Sequence, residues 1–211
     1  MPPTDWIARV SALDVSLDDA QVARLTEYVF LLRQWNAFVT LVSAGDLPRV
    51  EDHHLVDSLS LVRIVREIVP RGGTLLDIGS GGGFPAIPLA VALPDRRIVL
   101  MERSAKKVSF LRKVMGALSL GHVRLICGSF PEDVPPTPPA AITARAVERA
   151  DQVLADVAEI LPDGCVFVCQ SGDPSGKVDP EVFHVEQIDD AWSKSGLRRG
   201  SLHLLRRRGE R

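Results

Sequence analysis

At 211 residues, with 45% hydrophobic and 25% charged side chains, the chain has the make-up of a folded domain with a sizeable core rather than a disordered linker. Its formal charge of −2 gives no overall pull towards nucleic acid. Every apolar run is broken by charge before the roughly 18 residues a membrane span needs, and no basic stretch leading into an apolar run follows Met1, so neither a membrane span nor a secretory signal is expected.

The three cysteines, Cys127, Cys165 and Cys169, are odd in number and lack metal-like spacing. They fit a reducing cytoplasm, core packing for the last two, and no metal site. Charge is uneven along the chain. Acids such as Asp14, Asp18, Glu27, Glu51 and Asp57 dominate the first third, while Lys194, Arg198, Arg199, Arg206, Arg207, Arg208 and Arg211 crowd the end. The basic end reads equally as a face for RNA phosphates or as a solvated tail.

Ser16 with Asp19 makes a variant capping box and predicts a helix to about Asn36, with Val22, Leu25, Val29 and Leu32 as its apolar stripe. A second helical region is expected over 48–69. The Pro70-Arg71-Gly72-Gly73 cluster then sets a seam between an N-terminal helical part, residues 1–72, and a domain over 73–211. Beyond it strands alternate with helices: strands at 74–78, 97–101, 123–127, 140–143 and 165–170, helices at 85–93, 105–118 and 150–161. Such alternation predicts an α/β fold, a doubly wound, mostly parallel sheet with helices on both faces. Residues 131–139 hold five prolines and must form an irregular loop. The segments 182–187 and 201–207 are expected to pair as an antiparallel edge hairpin with no helix between them.

The segment Leu75-Leu76-Asp77-Ile78-Gly79-Ser80-Gly81-Gly82-Gly83-Phe84-Pro85 ends one strand and opens a helix, the place where a doubly wound sheet binds ligands. Glycine lets the backbone turn sharply and approach a ligand with no Cβ in the way. The third glycine of a dinucleotide fingerprint is replaced by Phe84, and no Gly-Lys-Ser/Thr follows, which weighs against both nucleotide loops. Asp77-x-Gly79-x-Gly81-x-Gly83 instead resembles motif I of the S-adenosylmethionine methyltransferases. There the turn lies against the methionine and ribose of the cofactor and the acid orders the loop. Glu102 ends the next strand, where an acid accepts hydrogen bonds from both ribose hydroxyls; the alternative is a plain strand-end charge. Phe130 and Pro131 follow the third strand, where the adenine ring would lie, with Phe130 either a wall of that site or a core residue.

The segment after the fourth strand reads Ala141-Ile142-Thr143-Ala144-Arg145-Ala146. It lacks the Asn/Asp-Pro-Pro-aromatic motif common in enzymes that methylate exocyclic amines, and no cysteine nucleophile of the pyrimidine type is present. A ring nitrogen such as guanine N7 has a free lone pair and needs positioning rather than deprotonation. No single residue is therefore singled out as catalytic. Arg145, directly after a strand, is read as a ligand or phosphate contact at the pocket rim, with a surface charge as the alternative.

Several segments together resemble one family, the small-subunit ribosomal RNA guanine-N7 methyltransferase G family, also called glucose-inhibited division protein B. They are Trp35-Asn36, His54-Leu55-Val56-Asp57-Ser58-Leu59, the run Asp77 to Pro88 with its Phe-Pro-Ala-Ile-Pro, Lys106-Lys107 with Phe110-Leu111, and Ala144-Arg145-Ala146. The resemblance implies a cytoplasmic enzyme, expected as a monomer, that takes S-adenosylmethionine as cofactor and small-subunit ribosomal RNA as partner. It also implies a cofactor site lined by Gly79, Phe84, Phe130, Pro131 and Arg145. The chain departs from the family pattern at Thr40-Leu41-Val42, at His53, at Ser171 and at Pro131, where Glu132 could stand in for the usual acid. His53 and His54 read either as a pair packing the helical part onto the sheet or as base-orienting groups, His54 being one turn from Asp57. The cluster Lys106, Lys107, Arg112 and Lys113 on one helix is a candidate phosphate contact. Two other functions remain open: the same chemistry on another RNA or a small molecule, and a non-catalytic cofactor-binding module.

Overall fold

The computed structural model describes residues 5–145, 150–170, 172–198 and 200–208, so the expectations placed on Ala146, Ser171, Arg199 and Arg211 lie outside the described residues. The helices α1 (Asp5–Ser11) and α2 (Asp19–Asn36) are followed by a 3-10 turn (Leu47–Arg49), a π-helical turn (Glu51–Leu55), α3 (Val56–Leu59) and α4 (Val62–Ile68). Alternation then begins: β1 (Thr74–Ile78), α5 (Ala86–Ala92), β2 (Arg97–Glu102), α6 (Ala105–Ala117), β3 (Val123–Cys127), β4 (Ala141–Ala144), α7 (Ala150–Ile160) and β5 (Val166–Cys169). β6 (Phe183–Gln187), α8 (Ala191–Ser195) and β7 (His203–Arg207) complete the chain.

The strands form one sheet in the order β3-β2-β1-β4-β5-β7-β6. The first five are parallel, and β7 runs antiparallel to both β5 and β6. β1 is central and must be apolar on both faces, which is why Leu75, Leu76 and Ile78 are all buried. Alternation sends Leu75 into a layer with α1 to α6, including Leu25, Tyr28, Leu59, Ile87 and Phe110. Leu76 and Ile78 face the opposite layer, under Leu154 and Val157 of α7. The N-terminal helices thus share their hydrophobic layer with the sheet.

Four local expectations are corrected. The N-cap of α2 is Asp18, not Ser16: Asp18 accepts from the Gln21 backbone N–H at 2.7 Å and the Gln21 side chain reaches back to the Asp18 N–H at 3.0 Å. The second helical region is not continuous but passes through a π-helical turn at the two histidines and breaks again at Ser60-Leu61. A short helix, α8, does stand between the last two strands, capped by Asp190. Finally, among the described residues of the basic end, three of the arginines are engaged by the protein itself. Arg198 is buried against Asp190 and Ser60, Arg206 pairs with Glu186, and Arg207 donates to the carbonyls of Ala158, Glu159 and Leu161 at the end of α7. Cations there satisfy carbonyls that the helix leaves unpaired.

Candidate functional site

The carboxyl ends of β1, β2 and β4 meet beneath the turn 79–83, at the point where the strand order reverses: the chain steps outward from β1 through β2 to β3 and then returns to β4 on the other side of β1. Gly79, Gly81 and Gly83 take φ values of 67°, 54° and 93°, conformations that L side chains rarely adopt. The glycines divide by what surrounds them. A Cβ on Gly82 would come within 3.1 Å of the Leu41 carbonyl, and one on Gly83 within 2.7 Å of the Ile87 side chain. At Gly81 the nearest atom is the Gly79 carbonyl at 3.6 Å. Gly82 and Gly83 therefore serve close packing, the first against Leu41 in the loop after α2 and the second against Ile87 of α5, Tyr28 of α2 and Leu111 of α6, while Gly81 faces open space.

Glu102 is held beside Gly81. One carboxylate oxygen accepts from the Gly81 N–H at 2.8 Å and the other from the Ser104 N–H at 2.7 Å. The side chain is thus turned towards the glycine loop, although it closes a different strand. Asp77 lies below, almost wholly buried, and accepts from the Thr143 hydroxyl of β4 at 2.8 Å. Its second oxygen is buried with no hydrogen-bond partner. Burial raises the Asp77 carboxyl to about 7 and nearby Glu102 adds to the rise, while Ser80, Thr143 and the Arg145 charge pull the other way. An unpaired buried acid oxygen beside an open glycine turn is suited to a cationic ligand, because a positive charge supplies what that oxygen lacks.

Phe84 is buried in the hydrophobic layer shared with α2. Its ring lies 5.2 Å from both Tyr28 and His54, tilted on the first and stacked on the second. Phe130 is half-buried against the layer under α7, and Pro131 follows it in the same loop. Asp133, missed in the sequence, folds back over this loop: it accepts from the Ser129 N–H at 2.9 Å and sits where a Cβ on Gly128 would be. Glu132 and Asp133 are both exposed, and the hydrogen bond to the Ser129 N–H makes Asp133 the acid that shapes the loop.

Arg145 continues from β4 and turns towards the N-terminal part. Its guanidinium pairs with Asp57 at 3.2 Å, donates to the His53 carbonyl at 3.1 Å, and lies 3.0 Å from His54 Nδ1. Asp57 pairs with Arg145, while His53 Nδ1 and His54 Nε2 approach the two oxygens of Asp46 at 2.9 and 3.5 Å. The histidines and Arg145 knit the helical part to the sheet end. Asn36 braces the same side, its side-chain oxygen accepting from the N–H groups of Leu41 and Val42 at 2.9 Å each. On α6, Lys106, Arg112 and Lys113 are exposed and Lys107 half-buried. Among the described residues no cluster of metal-ligand type occurs, and no helix is long and apolar enough to cross a membrane.

The sequence profile of the family described as rRNA small subunit methyltransferase G matches residues 21–180. A relative named ribosomal RNA small subunit methyltransferase G from Sorangium cellulosum is 36% identical over 180 residues, covering 79% of this chain and 71% of its own length. One of the same name from Neisseria meningitidis is 33% identical over 184 residues, covering 86% of each. In fold, the chain is similar to a crystal structure titled as an rRNA-methylase from Clostridium thermocellum (TM-score 0.52, 19% identity, 74% of this chain and 98% of the other). It is also similar to a SAM-dependent O-methyltransferase from Thermotoga maritima (TM-score 0.54, 14% identity, 74% and 65%). Those two likenesses speak for the architecture, the first two for descent. On both the profile and the relatives, the chain belongs to the rRNA small subunit methyltransferase G family.

Proposed function

We propose that the chain transfers a methyl group from S-adenosylmethionine to N7 of a guanine in small-subunit ribosomal RNA, acting in the cytoplasm as a monomer. In this reading residues 73–211 are the methyltransferase domain and residues 1–72 a helical part packed on it. The cofactor site comprises Asp77, Gly79, Gly81, Phe84, Glu102, Phe130, Pro131 and Arg145. The observation that carries the proposal is the pairing of the unpartnered Asp77 oxygen with a Glu102 carboxylate turned onto the Gly81 N–H.

When bound, S-adenosylmethionine supplies a methyl on a positively charged sulfur, which the N7 lone pair takes by in-line displacement with no prior loss of a proton. Asp77 offers the cofactor's positive charges a buried counter-charge. Glu102 orders the Gly81 and Ser104 amides, and its carboxylate is the acid for the ribose hydroxyls. Gly79 and Gly81 leave the backbone bare on the cofactor side. Phe84, held between Tyr28 and His54, anchors the turn from behind. Phe130 and Pro131 provide the apolar side for the adenine. Arg145, tied to Asp57, closes the wall between cofactor and RNA. No side chain is assigned as a base, since N7 needs none.

The deciding experiment maps N7-methylguanine in small-subunit ribosomal RNA from cells with and without the gene, then restores it in vitro with purified protein and cofactor. A methylation pattern unchanged by loss of the gene removes the ribosomal assignment. The same in vitro reaction separates off the remaining alternative, because a non-catalytic module binds S-adenosylmethionine in calorimetry and yet leaves the RNA unmethylated.

A further inference from the structure

Gln170 follows β5, one register step beyond the Ala144–Cys169 pair, and so stands beside Arg145 at the carboxyl edge of the sheet. Cys169 and Phe167 belong to the layer under α7. Strand alternation places Gln170 on the opposite face, that of Val168, Thr143 and Asp77, which share one row across β5, β4 and β1. Gln170 is therefore on the face that carries the Asp77–Thr143 hydrogen bond, one step nearer the strand ends.

The residue as a whole is half-buried, yet both its amide nitrogen and its amide oxygen are shielded from solvent and neither has a hydrogen-bond partner. Among the described residues it is the one side chain with both a donor and an acceptor left in this state. A leucine of similar size would occupy the place without the penalty of an unpaired donor and acceptor. An amide kept at such a point is explained by a ligand that completes it.

We infer that Gln170 is the specificity residue that reads the Watson–Crick edge of the target guanine; this rests on the function proposed above. A carboxamide presents an acceptor and a donor side by side, and guanine presents the N1–H donor beside the O6 acceptor. Two hydrogen bonds then close a ring between the amide and the base. Both lie on the six-membered ring, so the N7 of the five-membered ring stays free for the methyl. The position next to Arg145 also puts the reader beside the strand end that faces the cofactor cradle.

The test uses the full-length protein and small-subunit RNA prepared without the modification, with the target position first mapped using wild-type protein. The target guanosine is then replaced by inosine, which keeps N7, O6 and N1–H, or by 2-aminopurine riboside, which keeps N7 and the 2-amino group but lacks both O6 and N1–H. Wild-type protein is expected to methylate inosine nearly as well as guanosine and 2-aminopurine roughly 10- to 100-fold more slowly in kcat/KM. In Q170L the preference for guanosine over 2-aminopurine should collapse towards one, with the S-adenosylmethionine dissociation constant unchanged and thermal stability equal or higher. Wild-type protein that treats guanosine and 2-aminopurine alike, or a Q170L that keeps the full preference, overturns the inference while leaving the methyltransferase reading intact. No N7 methylation by wild-type protein overturns both. If Q170L does not fold, the wild-type comparison of the two analogues and the same measurement on Q170A decide.

Discussion

The Tyr28 hydroxyl donates a 2.6 Å hydrogen bond to the Gly82 carbonyl oxygen, so the first long helix holds the glycine turn from behind. Both groups are buried, and burial lifts the Tyr28 phenol well above its ordinary value, which keeps it a donor throughout the working pH range. Tyr28→Phe leaves the Gly82 carbonyl unpaired. The expected cost is about 1–3 kcal/mol of stability together with weaker cofactor binding. Urea unfolding and calorimetry on the same preparation check it. If neither changes, the helix does not brace the turn.

Two neighbouring glycines should behave differently. At Gly83, φ is 93° and an added methyl meets Ile87 at 2.7 Å, Tyr28 at 3.2 Å and Leu111 at 3.3 Å. Gly83→Ala combines backbone strain with overpacking, for a loss of about 2–4 kcal/mol. At Gly81 the space is open and φ is 54°, so Gly81→Ala should cost only about 1 kcal/mol in stability. Its larger effect should fall on cofactor affinity, because the methyl occupies that open space. Equal effects of the two substitutions on stability would refute the division between packing glycines and a ligand-facing one.

The pH dependence of Asp77 has a definite sign. Its folded value of about 7 lies above the ordinary 3.8, so folding favours the protonated form. Stability from this group is complete below about pH 4 and is lost as pH rises to about 7, by up to about 4 kcal/mol. Asp77→Asn should therefore match wild type at low pH and exceed it above about pH 7. Cofactor affinity runs the other way, since the ionised acid is the form that meets a cation. S-adenosylmethionine binding should weaken roughly tenfold for each pH unit below about 7, with proton release on binding. A dissociation constant flat from about pH 5.5 to 8 would mean that Asp77 does not face the cofactor's charge.

The parts of the fold that the residues announce are those fixed by neighbours in sequence. Leu75, Leu76 and Ile78 put apolar side chains on both faces because β1 is central, and the turn after it is marked by glycines and Pro85. The boundary at α2 was misplaced by two residues because Ser16 and Asp18 are both good caps, and only the Gln21 side chain reaching the Asp18 N–H decides between them. α8 is short and apolar only at Ala191 and Trp192, so periodicity cannot find it; its stability comes from the Asp190 cap and from Arg198, which also reaches back to Ser60. At the candidate site, Asp77 and Glu102 were legible because strand ends bring them together. The partners of Arg145 were not, since Asp57 and the histidines lie some ninety residues away in sequence and meet it only through tertiary packing.

Glu102 gives a test of the loop itself. Its two oxygens each accept one backbone N–H, from Gly81 and from Ser104. Glu102→Gln replaces one acceptor by an NH2 group that faces an N–H, while Glu102→Ala removes both. Each charge-assisted bond of this kind is worth about 1.5–3 kcal/mol. S-adenosylmethionine affinity is expected to fall roughly 10- to 100-fold in either variant, with a smaller change in thermal stability. Full affinity in the alanine variant would place the ribose elsewhere.

The Arg145–Asp57 pair makes the last prediction. Both side chains are well shielded, and the pair is one direct link between the end of β4 and the N-terminal helices. Removing one member of a shielded pair takes a charge partner from the other, at a cost of up to about 3–5 kcal/mol. Asp57→Leu and Arg145→Met should each destabilise by up to that amount, and the double variant should cost clearly less than the sum of the two, because neither charge is then left without the other. The functional outcome differs from the stability outcome. If Arg145 serves only to join the two parts, the double variant should regain RNA methylation as it regains stability. If the guanidinium also faces the RNA or the cofactor, the double variant should fold and still turn over slowly. Chemical denaturation alongside single-turnover methylation of small-subunit RNA distinguishes these cases, and additive single losses in stability would show that the pair is not coupled at all.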